Sequence, residues 1–317
     1  MSRAMTAALA AMLLSAAPLA AQGGAHGAEL GGAVGQPGAA RRAPTVVRGV
    51  LRVCADPNNL PFSNRAGQGF ENAIARVLAR DFGAHVSYTW WAQRRGFIRN
   101  TLGAGRCDVV IGIVAGDEQV LTTAPYYRST YVFVSRQARR YDITSFDDPR
   151  LRRLRIGIHV IGDDYNSLPP GVALARRGLV HNVVGYSIYG NYAEPSPPSK
   201  LITAVARGDV DVAVAWGPLA GYYARRSAVP LTVTPVGTAF AVRGIPFAYD
   251  IAVGVRHGDT AFRARLDRAL AHEREPIRRI LRQYGVPMIA PSATSMPVSA
   301  ARVTRACSGR AEERTCT

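Results

Sequence analysis

The stretch "DVVIGIVAGDEQVLTTAPYY", Asp108 to Tyr127, decides the fold. It opens as a short apolar run rich in β-branched side chains, the pattern of a strand buried on both faces. Gly116, Asp117 and Glu118 end the run in a loop, and Pro125 with Tyr126 and Tyr127 marks a turn before the next extended segment. No lysine or arginine occurs between Arg106 and Arg128, in a chain that carries 39 of them. A loop at the carboxyl end of a buried strand is where α/β proteins meet ligands, so this gap in charge bears on function.

Reading outward, "VLRVCAD" (50–56) is a short strand that runs into a loop, "DPNNLPF". "GFENAIARVLARDFG" carries Phe70, Ile74, Val77, Leu78 and Phe82 at helical spacing, and Gly83 stops it. "HVSYTWW" alternates as a strand, and "RGFIRNTLGAG" is a short helix leading into "CDVVIGIV". The order β-α-β-α-β predicts a parallel, doubly wound sheet with strand order 2-1-3. Beyond "YRSTYVFVSR", an extended segment, a second α/β set runs from "LRIGIHVIG" to "LTVTPV". "FAYDIAVGVRHG" is a further strand, and two helices follow, the second with Pro276 near its start. These last elements have no sheet partners of their own, so they are expected to return to the first lobe. The expected division is lobe 1 at 49–138 and 237–290 and lobe 2 at 139–236, with crossings near 134–140 and 236–242.

The flanks read differently. "MSRAM" followed by "TAALAAMLLSAAPLAA" matches a secretory signal peptide over about residues 1–21. A Gly/Ala-rich linker follows at 22–48, and a Ser/Ala/Arg-rich tail occupies 291–317. The apolar run is too short to span a bilayer comfortably, so an exported, soluble protein with no membrane span is expected. The 39 basic residues against 22 acidic give a net charge of +17, and Lys200 is the single lysine. That arginine bias, with abundant Ala and Gly, reads as the codon usage of a GC-rich genome. The arginines are scattered rather than gathered in a tract, which argues against a nucleic-acid footprint.

Four cysteines in an exported chain fit a disulfide-permissive compartment and allow three connectivities. The simplest pairs Cys307 with Cys316 and leaves Cys54 with Cys107, which would join the first and third strands. Neighbouring strands are close enough for such a bridge, but Cys54 lies late in its strand and Cys107 opens its own. Two buried thiols behaving as small apolar residues are the alternative. No metal or cofactor signature occurs, and no nucleophile elbow, phosphate loop or His-Glu-x-x-His, so no catalytic residue is assigned.

An inserted second lobe, two hinge strands and a signal peptide together resemble the type II periplasmic solute-binding proteins, a two-lobe α/β fold with a cleft between the lobes. "GAGRCDVVIGIVAG…LTTAPYY" is similar to their first-lobe loop, and "ITAVARGDVDVAVAWGP" repeats the logic in the second lobe. More narrowly, "LRVCADPNNLPFSN", "TWWAQRRGFIRNTLGAGRCDVV", "APYYRSTYVFV" and "AVAWGPLAGYY" look like the MoxJ/XoxJ family, the solute-binding-like proteins found with quinoprotein methanol dehydrogenases. That resemblance implies a periplasmic accessory whose partner is a methanol dehydrogenase dependent on pyrroloquinoline quinone (PQQ), and which holds no cofactor itself. The runner-up is the receptor of an ABC importer for a small, non-amino-acid ligand in the cleft. In amino-acid receptors of this fold an arginine near the position of Gly116 grips the ligand carboxylate. Here the loop offers Asp117 and Glu118, which would repel one, with no guanidinium to compensate.

The strand ends place a set of side chains at the expected cleft. From the first lobe come Asp56, Asn58, Phe62, Trp90, Trp91, Arg94, Arg95, Tyr126, Tyr127 and Arg128. Tyr165, next to Asp163 and Asp164, and Trp216 come from the second. Aromatic rings dominate, which suits an apolar or planar guest or a protruding segment of a partner protein. The bland readings stand beside these. Adjacent Trp90 and Trp91 face opposite sides of a strand, so one packs in the core, and Asp56 serves equally as an Asx turn. Arg94 and Arg95 near a helix start oppose its dipole, which points to a nearby anion or to a solvated pair.

Overall fold

The computed structural model describes residues 49–162, 168–189, 192–237 and 244–290. The leader, the linker, the tail with Cys307 and Cys316, the Asp163–Tyr165 segment and most of the second crossing lie outside the described residues.

In chain order the first part runs β1 (Val50–Ala55), β2 (Asn58–Asn59), β3 (Ser63–Asn64), α1 (Phe70–Asp81), β4 (His85–Trp90), α2 (Phe97–Asn100), β5 (Val109–Val114), β6 (Leu121–Thr122) and β7 (Tyr127–Arg136). The second part contains β8 (Ile156–Val160), α3 (Pro169–Ala175), β9 (Val183–Ser187), α4 (Lys200–Arg207), β10 (Val212–Trp216), α5 (Gly217–Ala224) and β11 (Leu231–Pro235). The chain returns with β12 (Ala248–Val255), α6 (Thr260–His272) and α7 (Arg274–Gln283).

Strands β4 and β5 lie parallel to β1 on either side of it, the expected 2-1-3 order. Helix α1 buries Phe70, Ile74, Val77 and Leu78, as its periodicity predicts. Its start is fixed by the buried Asn72, whose side-chain oxygen accepts from the backbone N–H of Gly69 at 3.0 Å and of Asn64 at 3.1 Å. A Cβ on Gly69 would lie 1.9 Å from the Phe62 carbonyl oxygen, so the chain can pass there only as glycine. The returning β12 pairs antiparallel with β5, and α6 and α7 pack against α1, completing the first half of the sheet.

β7 belongs to both halves. Tyr127 to Thr130 pair with β12, and Tyr131 to Arg136 pair with β10 and β11. The change of partner falls between Thr130 and Tyr131, ahead of the 134–140 crossing expected from sequence. The reason is that the strand continues unbroken, so no composition shift marks the changeover. The full order is β4-β1-β5-β12-β7-β10-β8-β9, with β11 beside β7 and β6 beside β12. Period-2 alternation sorts the second half's cores: Phe133, Ile156, Ile158 and Val212 pack on one face, Val132, Val134, Leu201 and Ala213 on the other. The β2–β3 hairpin and β6, read from sequence as loop, are two-residue pairings too short to leave a pattern.

Two covalent or ionic ties hold the first half. Asp108, fully buried, accepts from Arg52 at 2.6 and 2.9 Å and from Arg256 at 2.9 Å, linking β1, the turn before β5 and the end of β12. Cys54 and Cys107 form a disulfide with their Cα atoms 5.5 Å apart. The strand register pairs Cys54 with Val110, so the bridge closes because Cys107 sits before the strand, in the turn, rather than in the ladder.

Candidate functional site

Where the halves meet, a cavity of about 270 Å³ is lined by Phe62, Tyr127, Tyr131, Trp216 and Tyr249, with Val114 and Ile251 adding aliphatic surface. Its polar lining is Asn59, Gln93 and Glu71, with Gly112 in the wall. Each wall comes from a strand end or a helix start. Tyr127 and Tyr131 stand four residues apart on β7 and so emerge on the same face of the strand. Trp216, at the end of β10, meets Tyr131 edge-on at 5.5 Å and Tyr249 of β12 at 5.8 Å. Phe62 leans edge-on against Phe70 at the head of α1, with ring centres 5.3 Å apart.

Glu71 follows Phe70 and carries the one carboxyl in the wall among the described residues. A Cβ on Gly112 would fall 2.0 Å from its Oε1, and Gly112 takes φ of 86°, so the glycine is what makes room for the acid. Burial, and secondarily the nearby charge of Asp56, hold this carboxyl well above the usual carboxylate range. Burial likewise raises the Tyr127 hydroxyl.

Beside the cavity, a strap from the second half closes onto the loop after β1. Asp56 is buried and fully engaged: its Oδ1 accepts from Asn58 N at 2.8 Å. Its Oδ2 accepts from Gln93 N at 2.7 Å and from the Tyr192 hydroxyl at 2.5 Å. Asn58 donates to the Glu194 carbonyl at 2.7 Å and accepts from Ser196 N at 2.9 Å. Arg94 stands over the rings of Tyr189 and Tyr192, at 5.5 and 4.8 Å. Tyr223 of α5 adds a bond to the Leu60 carbonyl at 3.2 Å.

The structure thus gathers Asp56, Asn58 and Arg94 at the strap and Phe62, Tyr127 and Trp216 at the cavity. The others lie apart from the lining. Trp90 stacks on Tyr88 at 4.5 Å, Trp91 is exposed beneath Arg106, and Arg95 is exposed. Arg128 pairs with Asp250 at 2.7 Å, and the buried Tyr126 hydroxyl has no hydrogen-bond partner among the described residues. The charge at Arg94, read from sequence as facing either a nearby anion or solvent, stands over aromatic faces of its own chain. Sequence reasoning missed Glu71, Gly112, Tyr131, Tyr249 and Tyr192. A signal for Glu71 existed in an acid one residue into an amphipathic helix, but a helix-start acid is ordinarily explained by the dipole alone. Among the described residues Asp81, His272 and Glu273 cluster as metal-type donors at the far end of α1 from Glu71, Asp81 and His272 exposed and Glu273 partly so.

A mixed sheet whose two halves share one long strand, with a cavity at their junction, is the architecture of a periplasmic-type binding protein. The chain belongs to the bacterial extracellular solute-binding proteins, family 3, whose model matches residues 51–286. Within that class it is 35% identical over 247 residues to Protein MoxJ of Methylorubrum extorquens, covering 76% of this chain and 82% of the relative. To Protein MoxJ of Paracoccus denitrificans it is 31% identical over 248 residues, covering 76% and 90%. The crystal structure of the periplasmic binding protein XoxJ from Methylobacterium extorquens superposes with a TM-score of 0.63 at 35% identity, over 76% of this chain and all of that one (100%). Among the described residues no helix is long and apolar enough to cross a membrane.

Proposed function

We propose that this protein is a periplasmic, non-catalytic accessory of a PQQ-dependent methanol or alcohol dehydrogenase, and that it aids maturation or activation by binding the dehydrogenase through its cleft face. Its lobes would divide near 138 and 236, the second inserted into the first. The likeness to MoxJ and XoxJ supports this reading, and one observation carries it. Among the described residues the cavity wall offers aromatic rings and a single acid, with no guanidinium to take an amino-acid carboxylate. The face beside it displays Trp91 and Arg95, residue types that anchor protein interfaces.

The test mixes the purified protein with the cognate dehydrogenase, in apo and cofactor-loaded forms. Complex formation by size exclusion and a change in dehydrogenase activity are expected; the absence of both overturns the reading. The largely aromatic cavity with its few polar groups favours a second reading, an importer receptor for a small ligand that is not an amino acid. A permease gene beside this one supports the second, and a dehydrogenase and cytochrome beside it support the first.

A further inference from the structure

We propose that the cavity is a site for a small organic cation, with Glu71 as its counter-ion and Tyr131, Trp216 and Tyr249 as its cage. This does not rest on the dehydrogenase reading and stands or falls separately from it.

The walls select the chemistry. Trp216 meets Tyr131 and Tyr249 at interplanar angles of 64° and 72°, so the three rings form the sides of a box rather than a flat stack. Ring faces carry the negative lobe of the aromatic quadrupole, which attracts diffuse positive charge, and boxes of this kind hold alkylated ammonium groups. The chain has 39 basic residues, yet among the described residues none lines this cavity beside Glu71. A metal ion would want about six oxygen donors, and one carboxyl with two amides falls short. An anion would meet an acid and π-faces. At about 270 Å³ the space sits at the small end for a ligand site, which excludes a peptide.

Gly112 shows that the acid's position is built. Its left-handed backbone and missing side chain let the carboxyl lie flat on β5. Among the described residues the charge that acts on Glu71 is that of Asp56 after β1, and Glu71 in turn acts on Tyr88 of β4 and on Tyr126 and Tyr127 at the start of β7. None supplies a positive charge. Burial raises the pKa of this carboxyl and a bound cation would lower it again, so binding should release protons to solvent and affinity should rise with pH.

Isothermal titration of the full chain tests this with the chlorides of methylammonium, tetramethylammonium, choline and guanidinium, and with 3,3-dimethylbutan-1-ol, the uncharged carbon analogue of choline. We expect at least one cation to bind, and choline to bind about tenfold or more tightly than its neutral analogue. Glu71→Gln should weaken the best cation about tenfold or more and abolish proton release, read from the dependence of the heat on buffer. Trp216→Leu should weaken it comparably. No binding by any cation, or equal binding of choline and its neutral analogue, overturns the proposal. So does unchanged affinity in a folded Glu71→Gln protein. Should either variant fail to fold, the choline comparison on the unmodified chain still decides.

Discussion

Removing the strap's own bonds should open the cleft, and the size of the effect can be worked from the structure. The double variant Asn58→Ala/Tyr192→Phe deletes the Tyr192 hydroxyl bond to Asp56 and both bonds that Asn58 makes to the Glu194 and Ser196 backbone. A hydrogen bond to a charged acceptor contributes about 2 kcal/mol net and a neutral one about 1 kcal/mol. Water recovers part of this at Asp56 once the strap leaves, so about 3 kcal/mol of closing free energy is lost, a shift of roughly 150-fold in the closed-to-open ratio. Arg94 loses its seat over Tyr189 and Tyr192 in the same event. Small-angle scattering should report a larger radius of gyration, and hydrogen exchange should accelerate at residues 58–62 and 192–196, while far-UV circular dichroism stays unchanged. If the double variant scatters and exchanges like the parent, the strap does not set closure and the reasoning fails.

Three further perturbations follow from buried groups. His159 is buried, with Nε2 3.0 Å from the Pro198 carbonyl, and burial lowers its pKa to about 4. The unfolded chain therefore binds a proton below about pH 6.5 that the folded one refuses, so stability falls by about 3 kcal/mol as pH drops from 6.5 to 4. His159→Gln should flatten that part of the denaturation profile. Asp108→Asn leaves Arg52 and Arg256 facing a neutral partner and should cost about 3–5 kcal/mol in chemical denaturation, with full stability retained refuting a structural role for the triad. Cys54→Ser/Cys107→Ser opens a bridge spanning 53 residues and should cost about 4 kcal/mol by the loop-entropy relation, measured the same way. A loss below about 1 kcal/mol would mean that the native state carries strain there, or the unfolded chain keeps structure.

What the sequence shows of this protein depends on the range of each signal. Helix α1 and strands β1, β5 and β7 are legible because the apolar periodicity of each is written in a few consecutive residues. The return of β12 to the first half is legible by elimination, since an apolar strand with no neighbours must find a sheet. The change of partner inside β7 is not legible, because a strand that passes from one half to the other keeps its alternation throughout. The site is harder for the same reason. Phe62, Tyr127 and Trp216 lie at strand ends or in their loops, where a topological rule finds them, and so do Asp56 and Asn58. Tyr131 and Tyr249 lie within strands, and within a strand a half-buried aromatic residue reads as packing.

Glu71 and the strap fail the sequence test in a more informative way. Asn58 meets Ser196 across 138 positions, and neither residue has a pattern of its own, since amides and serines in loops are explained locally by turns. The meaning of Glu71 resides in Gly112, on a different strand, whose missing side chain gives the carboxyl its place. A basic chain that leaves its described arginines out of one cavity and packs an acid against its wall has segregated its charge there. That segregation appears only when the sheet brings α1, β5, β7, β10 and β12 to one point. The absence of a basic residue between Arg106 and Arg128 is the one part of it visible along the chain, because Gly112, Val114 and Tyr127 of that span line the cavity. The same gap that removes a carboxylate clamp therefore leaves Glu71 without a cation from β5 or the loop after it, and a guest that fills the place would bring the positive charge with it.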